Sequence, residues 1–282
     1  MEPRRLMAGA LLGPATVAVV LGLLLPLAIL FRYSLNRFVP GRLMVEALTL
    51  ENYVKFFTDP YYVTVLLRTV RVSGICMVLC LVLAFPLAYA LARTRSRWKS
   101  ALIMLVVLPL FVGNAVRAAG WMVMFGSRGL LNTLLGAVGL IHQPLQLMYT
   151  EGAVIVGIAA VNLPFMVLTL SSVIEGIDPA LEEAALNLGA RPLQVFRRVI
   201  LPLAMPGVLA GTILVFILGM NAYATPILLG GPRFQMMGPV VYGQFAGLNN
   251  WPFGAALSFV LMTATLSLSL ASNVLVQRRY RR

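Results

Sequence analysis

Acidic side chains are scarce in this sequence: nine Asp and Glu stand against 22 Lys and Arg in 282 residues. The nine, Glu2, Glu46, Glu51, Asp59, Glu151, Glu175, Asp178, Glu182 and Glu183, all fall outside the centres of the long apolar runs. Ion-coupled carriers place carboxylates or histidines inside the membrane as relays and ligands, so that class is disfavoured. The one histidine, His142, lies in a polar connection and supports neither a proton relay nor a metal site. Two cysteines, Cys76 and Cys80, share one apolar run, which leaves no disulfide framework and no cysteine-rich metal site. Lysine is rarer still. Lys55 follows Val54 and Lys99 follows Trp98, whereas a phosphate-binding loop closes on Gly-Lys-Ser/Thr. The chain has no such loop, no Gly-x-Ser-x-Gly elbow and no paired intramembrane carboxylates. No catalysis, metal or nucleotide cofactor is expected of it, and energy for uphill transport would have to come from a partner that binds ATP.

What the sequence has is apolar residues, 60% of the total, with only 11% charged. Soluble domains run near 45–50% and about 25%, so a bilayer is the expected surrounding. The net charge of +13 then reports membrane orientation rather than nucleic acid. Runs of about 20 apolar residues cross a bilayer core of about 30 Å, and six are found, over 10–31, 63–92, 101–125, 153–174, 207–229 and 252–276. The first is too long for a signal-peptide core and is expected to remain as an anchor. Thirteen of the 22 cations, among them Arg4, Arg5, Arg93, Arg95, Arg97, Lys99, Arg191, Arg197, Arg198 and four of the last five residues, fall on one side if both termini are cytoplasmic. Lys and Arg concentrate in short cytoplasmic loops, so that orientation is adopted. The expected fold is an all-α membrane protein, one transmembrane domain over 1–282 with six transmembrane helices. A short apolar stretch over 129–141 is expected to lie at the outer interface.

The longest inner connection, 175–206, carries the most organised local pattern. Asp178 is a good N-cap, Pro179 sits where a missing N–H costs nothing, and Gly189 can take the left-handed stop. A helix from Pro179 to Leu188 follows, with Leu181, Ala184, Ala185 and Leu188 on one stripe. Glu182 and Glu183 flank that stripe near the positive helix end, still able to pair with an arginine. A second segment, Pro192 to Ile200, would place Leu193, Phe196, Val199 and Ile200 on one face before Pro202 and Pro206 end it. Physics alone leaves two readings, an amphipathic helix lying on the membrane or a protrusion that docks a cytosolic protein.

Glu183-Ala184-Ala185, three residues, Gly189, nine residues, then Val199-Ile200-Leu201-Pro202 resembles the EAA loop of binding-protein-dependent ABC importer permeases, with valine at 199 where isoleucine is usual. Asn52-Tyr53, Phe85-Pro86-Leu87-Ala88-Tyr89-Ala90, Leu108-Pro109, Arg117-Ala118-Ala119-Gly120-Trp121, Leu163-Pro164-Phe165 and Leu229-Gly230-Gly231 are similar to the spermidine/putrescine branch of that family. The resemblance implies a type I permease fold in a bacterial inner membrane. It implies two ATPase subunits that bind the ATP, a second permease, usually a different chain, and an extracytoplasmic solute-binding protein. In that family the loop holds coupling helices, here Glu182, Glu183, Ala184, Ala185, Leu188, Gly189 and Pro202. Polyamine is the cargo it implies, with ferric iron and aminophosphonates as cargoes of similar permeases. Around Ala224-Thr225-Pro226 the chain departs from polyamine permeases that carry an acid nearby. The rival classes are a self-contained facilitator or channel and a membrane enzyme, the latter disfavoured by the missing catalytic constellation.

Polar residues inside apolar runs must face protein or water. Asn114, Asn162, Asn221 and Tyr223 are therefore candidates either for helix-to-helix hydrogen bonds or for the solute path. Arg117, well inside the third run, is costly there; a kink at Pro109 would let it snorkel to the outer interface. Gly207 and Gly211 are spaced for a close helix crossing. Trp98, Trp121 and Trp251 read as interface anchors, and Cys76 and Cys80 as small packing residues.

Overall fold

The computed structural model describes residues 2–280, with side chains described at 13, 14, 16–272 and 274. Arg4, Arg5 and the C-terminal arginines that weigh in the orientation argument lie outside the described side chains. The elements are α1 (Glu2–Ser34), a hairpin of β1 (Arg37–Val39) and β2 (Leu43–Val45), α2 (Glu51–Thr58), α3 (Pro60–Arg93), α4 (Lys99–Val107), α5 (Asn114–Phe125), α6 (Leu130–Ala137) and α7 (Glu151–Glu175). There follow α8 (Pro179–Asn187), α9 (Pro192–Leu203), α10 (Met205–Met220), α11 (Met237–Tyr242) and α12 (Trp251–Tyr280). Among the described residues four helical segments are long and apolar enough to cross a membrane: Thr16–Ser34, Pro60–Arg93, Glu151–Glu175 and Trp251–Ser272. Two bent helix pairs bring the number to six if each pair is one span.

The bends sit at prolines. Residues 101–125, expected as one helix, are two: α4 tightens into a 3-10 turn over Leu108–Phe111, the chain extends at Val112, and α5 restarts at Asn114. Lys99–Phe111 and Asn114–Ala137 meet at 96°. Pro109 has no N–H to give the carbonyl four residues back and its ring crowds that carbonyl. The second bent pair, Pro192–Leu203 and Met205–Met220, meets at 69° at Ala204, between Pro202 and Pro206. Separately, the run 207–229 is interrupted because α10 stops at Met220. The Asn221 side chain caps the end of α10 by donating to Ile217 O at 2.9 Å, the chain leaves helical geometry at Ala222 and Tyr223, and helix resumes at Ala224 with Pro226 in its first turn. A wide turn over Pro226–Gly230 then carries the chain on. The short apolar stretch near 129–141 contains α6, ended by Gly139 at φ +74°.

Where one domain is expected, the described chain divides into two compact units. The first holds the residues up to Val63 together with Val240–Met262. Its organising residue is the buried Asn52, whose amide donates to Ser34 O and Asn36 O, both at 2.8 Å, and so satisfies carbonyls freed where α1 ends. The Tyr53 hydroxyl lies 2.7 Å from that of Ser34.

The second unit, Thr64–Pro239 with the residues from Thr263, holds both candidate sites. Its core is built on α3, α7 and α10, with Ala84, Ala88, Met166, Leu170, Ile174 and Val215 buried together. Small residues let these helices approach. A Cβ on Gly207 would lie 2.9 Å from Val173 Cβ, and one on Gly211 would lie 2.6 Å from Met166 Sδ. Cys76 and Cys80 are buried packing residues on α3 facing the α7 backbone, their thiols against Ile155 O and Ala159 O. Trp121 is partly buried and stacks on Phe125, ring centres 5.1 Å apart.

Candidate functional site

The loop after α7 is shaped by its own sequence. Asp178 accepts a hydrogen bond from Ala180 N at 2.9 Å, Pro179 opens α8, and Gly189 turns the chain out at φ +83°. Ala190 N reaches back to Ala185 O at 3.1 Å, closing the last turn. Of the predicted stripe, Leu181 and Ala184 are exposed, Ala185 is half-buried, and Leu188 is 89% exposed. Glu183 and Gly189 are exposed as well. An apolar edge of α8 therefore points away from its own chain.

Glu182, expected to be able to pair with an arginine, does so within its own chain. Its Oε1 is ion-paired with the Arg93 guanidinium, accepting from Nε at 2.8 Å and also from Nη2, and its Oε2 accepts from the Tyr89 hydroxyl at 2.7 Å. Arg93 Nη1 also donates to Ile177 O at 3.0 Å. Glu175 at the end of α7 pairs with Lys99 at the start of α4, 2.8 Å apart. Periodicity along α8 shows a stripe but not which neighbouring helix end lies beside it. Arg93 drew notice only as an orientation cation, and Tyr89 only within a quoted motif.

The second segment also departs from expectation. Val195 and Ile200 are buried, Phe196 and Val199 partly so, and Leu193 is exposed. A π turn over Phe196–Ile200, in which Leu201 N donates to Phe196 O five residues back, widens the helix and rotates its inner face. Pro202, exposed and expected to end the segment, lies inside α9 just before Leu203. The wide turn accommodates its missing N–H.

All five polar residues singled out within apolar runs, Asn114, Arg117, Asn162, Asn221 and Tyr223, line one cavity of about 640 Å³, within the usual range for small-molecule sites. Asn162 is 3% exposed. Ala222, which the sequence did not single out, lines it too, as do Ala224 and Thr225. Asn114 and Arg117 reach it because α5 starts at the break after Pro109. Asn221 and Tyr223 reach it because α10 ends there. Arg117 does not extend freely to snorkel. Its Nη2 donates to Pro109 O and Val112 O, both at 2.6 Å, which satisfies carbonyls at the end of the 3-10 turn. Its Nε and Nη1 are buried without a partner. Among the described residues no group of three or more metal-ligating side chains is found.

The model of the family of binding-protein-dependent transport system inner membrane components matches residues 77–282. The chain is 37% identical over 235 residues to the spermidine/putrescine transport system permease protein PotB of Haemophilus influenzae, covering 82% of each. It is 36% identical to PotB of Escherichia coli over 213 residues, 76% of this chain and 77% of that one. It is 32% identical over 227 residues to the inner membrane ABC transporter permease protein YdcU of Escherichia coli, 76% of this chain and 71% of that one. Among solved structures, a bacterial ABC transporter involved in the import of alginate superposes with a TM-score of 0.79 at 19% identity, over 98% of this chain and 96% of that one. The MetNI methionine ABC transporter gives 0.56 at 19% identity, over 78% and 94%. The shared fold, the match to the family over most of the chain and the permease relatives agree, and the chain belongs to the binding-protein-dependent transport system inner membrane components, as a permease subunit of an ABC importer.

Proposed function

We propose that α8 is the element on which an ATPase subunit seats, and that the Arg117 cavity lies on the solute path. The observation that carries this is the division of labour on α8: Leu181, Ala184 and Leu188 turn outward while Glu182 is tied inward to Arg93 and Tyr89. A helix held this way transmits displacement. Two ATPase subunits closing on ATP would push the outward edge, with Glu183, Ala185 and Gly189 completing the contact. The Glu182–Arg93 pair would carry the motion to the end of α3, and Glu175–Lys99 to the start of α4. Tilting those helices would open the cavity to one side of the membrane and then the other.

In this reading the chain hydrolyses nothing and binds no nucleotide, metal or nucleic acid. It spans a bacterial inner membrane six times with both termini cytoplasmic, pairs with a second and different permease, and receives cargo from an extracytoplasmic solute-binding protein. Likeness to the spermidine/putrescine permeases puts a polyamine first among cargoes, with ferric iron and an aminophosphonate as alternatives.

The test is a pull-down paired with uptake. Ala184→Glu and Glu183→Lys should insert normally yet lose ATPase association and uptake. Normal association and uptake in both, or transport by the purified chain alone, would defeat the docking role.

A further inference from the structure

We infer that the groove between the facing ends of α3 and α4 holds an acidic phospholipid of the cytoplasmic leaflet, its phosphate on Arg95 and Arg97 and an acyl chain along the groove; this rests on the permease reading and orientation above. The connection between the two helices carries Arg93, Arg95, Arg97 and Lys99. Arg93 is committed to Glu182 and Lys99 to Glu175. Arg95 and Arg97 are exposed, and among the described residues neither takes part in an ion pair. The neutral polar groups around them are satisfied locally: Thr94 Oγ1 donates to Ala90 O, and Ser96 Oγ accepts from Trp98 N. The Arg97 guanidinium lies over the Trp98 ring, 5.7 Å from its centre, and Trp98 is 62% exposed. Tryptophan beside arginine suits the headgroup layer, where cations are drawn to anionic lipid.

Next to that connection lies a cavity of about 330 Å³ walled by α3, α4 and α7. Thr94 lines its mouth, next in sequence to Arg95, and the lining further in is apolar: Leu91, Leu102, Leu105, Leu163 and Val167. Leu102 is 43% and Leu105 67% exposed, so the cavity is a groove open along its side. It follows α3 from Thr94 to Leu87 and α4 from Leu102 to Pro109, about 10 Å at 1.5 Å per residue. One leaflet offers about 15 Å of hydrocarbon, so an acyl chain can lie along most of its depth there. The occupant must be apolar in the groove and anionic at its mouth. A small anion leaves the groove unfilled, and a lipid without net charge gives two arginines no counter-charge. An acidic phospholipid meets both demands, its phosphate taking charge-assisted hydrogen bonds from the guanidinium groups. Arg93 and Lys99, at the helix ends that wall the groove, are the partners of Glu182 and Glu175, so a lipid seated there bears on the displacement that the permease role requires.

The test is native mass spectrometry of the purified full-length chain and of the assembled importer, each equilibrated in detergent with equal amounts of dioleoyl phosphatidylglycerol and dioleoyl phosphatidylcholine. Both should retain one phosphatidylglycerol over phosphatidylcholine by about tenfold or more. Arg95→Gln combined with Arg97→Gln should release that lipid. Ala90→Phe, at an exposed position lining the groove, should also release it while both arginines stay in place. Neither change should alter the melting temperature in lipid-free detergent, because the positions are exposed. Inorganic phosphate in large excess should not displace the lipid. Equal retention of the two lipids, or retention unchanged in either variant, would overturn the inference. Displacement by phosphate would reduce the site to a simple anion site, and loss of the lipid on assembly would assign the groove to a partner subunit; either result also overturns it. All of these outcomes leave the pull-down and uptake measurements, which decide the permease role, untouched.

Discussion

The guanidinium of Arg93 and the carboxylate of Glu182 stand 89 positions apart in sequence and form an ion pair with side-chain exposures of 18% and 12%. Ile177 O and the Tyr89 hydroxyl complete the group. At this burial, removing one partner strands a charge in a poorly solvated place, which costs far more than losing a surface pair. The end of α3 and the helix α8 are therefore one mechanical piece.

Arg93→Ala and Glu182→Gln should each destabilise the chain by about 3 kcal/mol, the lower end for breaking a buried pair. Uptake by the reconstituted importer should fall further than ATPase association does, because the outward edge of α8 is untouched. The swap Arg93→Glu with Glu182→Arg should restore part of the lost uptake. Equal loss of association and uptake in the single variants would refute the transmission role.

Gly189 ends α8 in the left-handed region, where a Cβ would meet no neighbouring atom. Strain is then the sole cost of a side chain, about 1–2 kcal/mol for alanine and less for asparagine. Gly189→Ala should fray the last turn of α8 and speed hydrogen exchange at Leu188, Gly189 and Ala190, whereas Gly189→Asn should leave exchange near wild type. Unchanged exchange in the alanine variant would show that the stop is not set by this residue.

Gly207 and Gly211 both face α7, but their neighbours differ. A Cβ at 207 meets Cβ of Val173, fixed to the backbone and branched, whereas one at 211 meets the flexible sulfur of Met166. Gly207→Ala should lower the melting temperature in detergent more than Gly211→Ala, with overpacking near 1–3 kcal/mol at 207. The reverse order would mean that the α7 and α10 backbones separate freely.

Features decided within a few residues were legible in the sequence: the Asp178 cap, Pro179, the Gly189 stop and the outward stripe of α8 all follow from local chemistry. The helix breaks were half legible. Pro109 signalled trouble, yet hydropathy counts only apolar length and drew 101–125 and 207–229 as unbroken. That error hid why Asn114, Arg117, Asn221 and Tyr223 belong together, since each sits at or beside a restart or a stop that opens onto one cavity. The fate of Glu182 was not legible, because its partner comes from a distant helix end and nothing in the period of α8 points there. Leu193 was misplaced for a different reason: a 3.6-residue period was assumed across a π turn.

Cys76 and Cys80 lie one turn apart on α3 and face carbonyls one turn apart on α7, Ile155 and Ala159, at 3.4 and 3.5 Å. Both are fully buried free thiols. A maleimide should therefore label neither in the folded chain and both after denaturation. Serine at both positions keeps a donor for each carbonyl at similar volume and should change stability by about 1 kcal/mol or less. Leucine at 80 must find room between two helices in contact and should cost about 1–3 kcal/mol. Rapid labelling of the native chain, or a leucine variant as stable as the serine one, would show that α3 and α7 do not close on each other as tightly as these two thiols require.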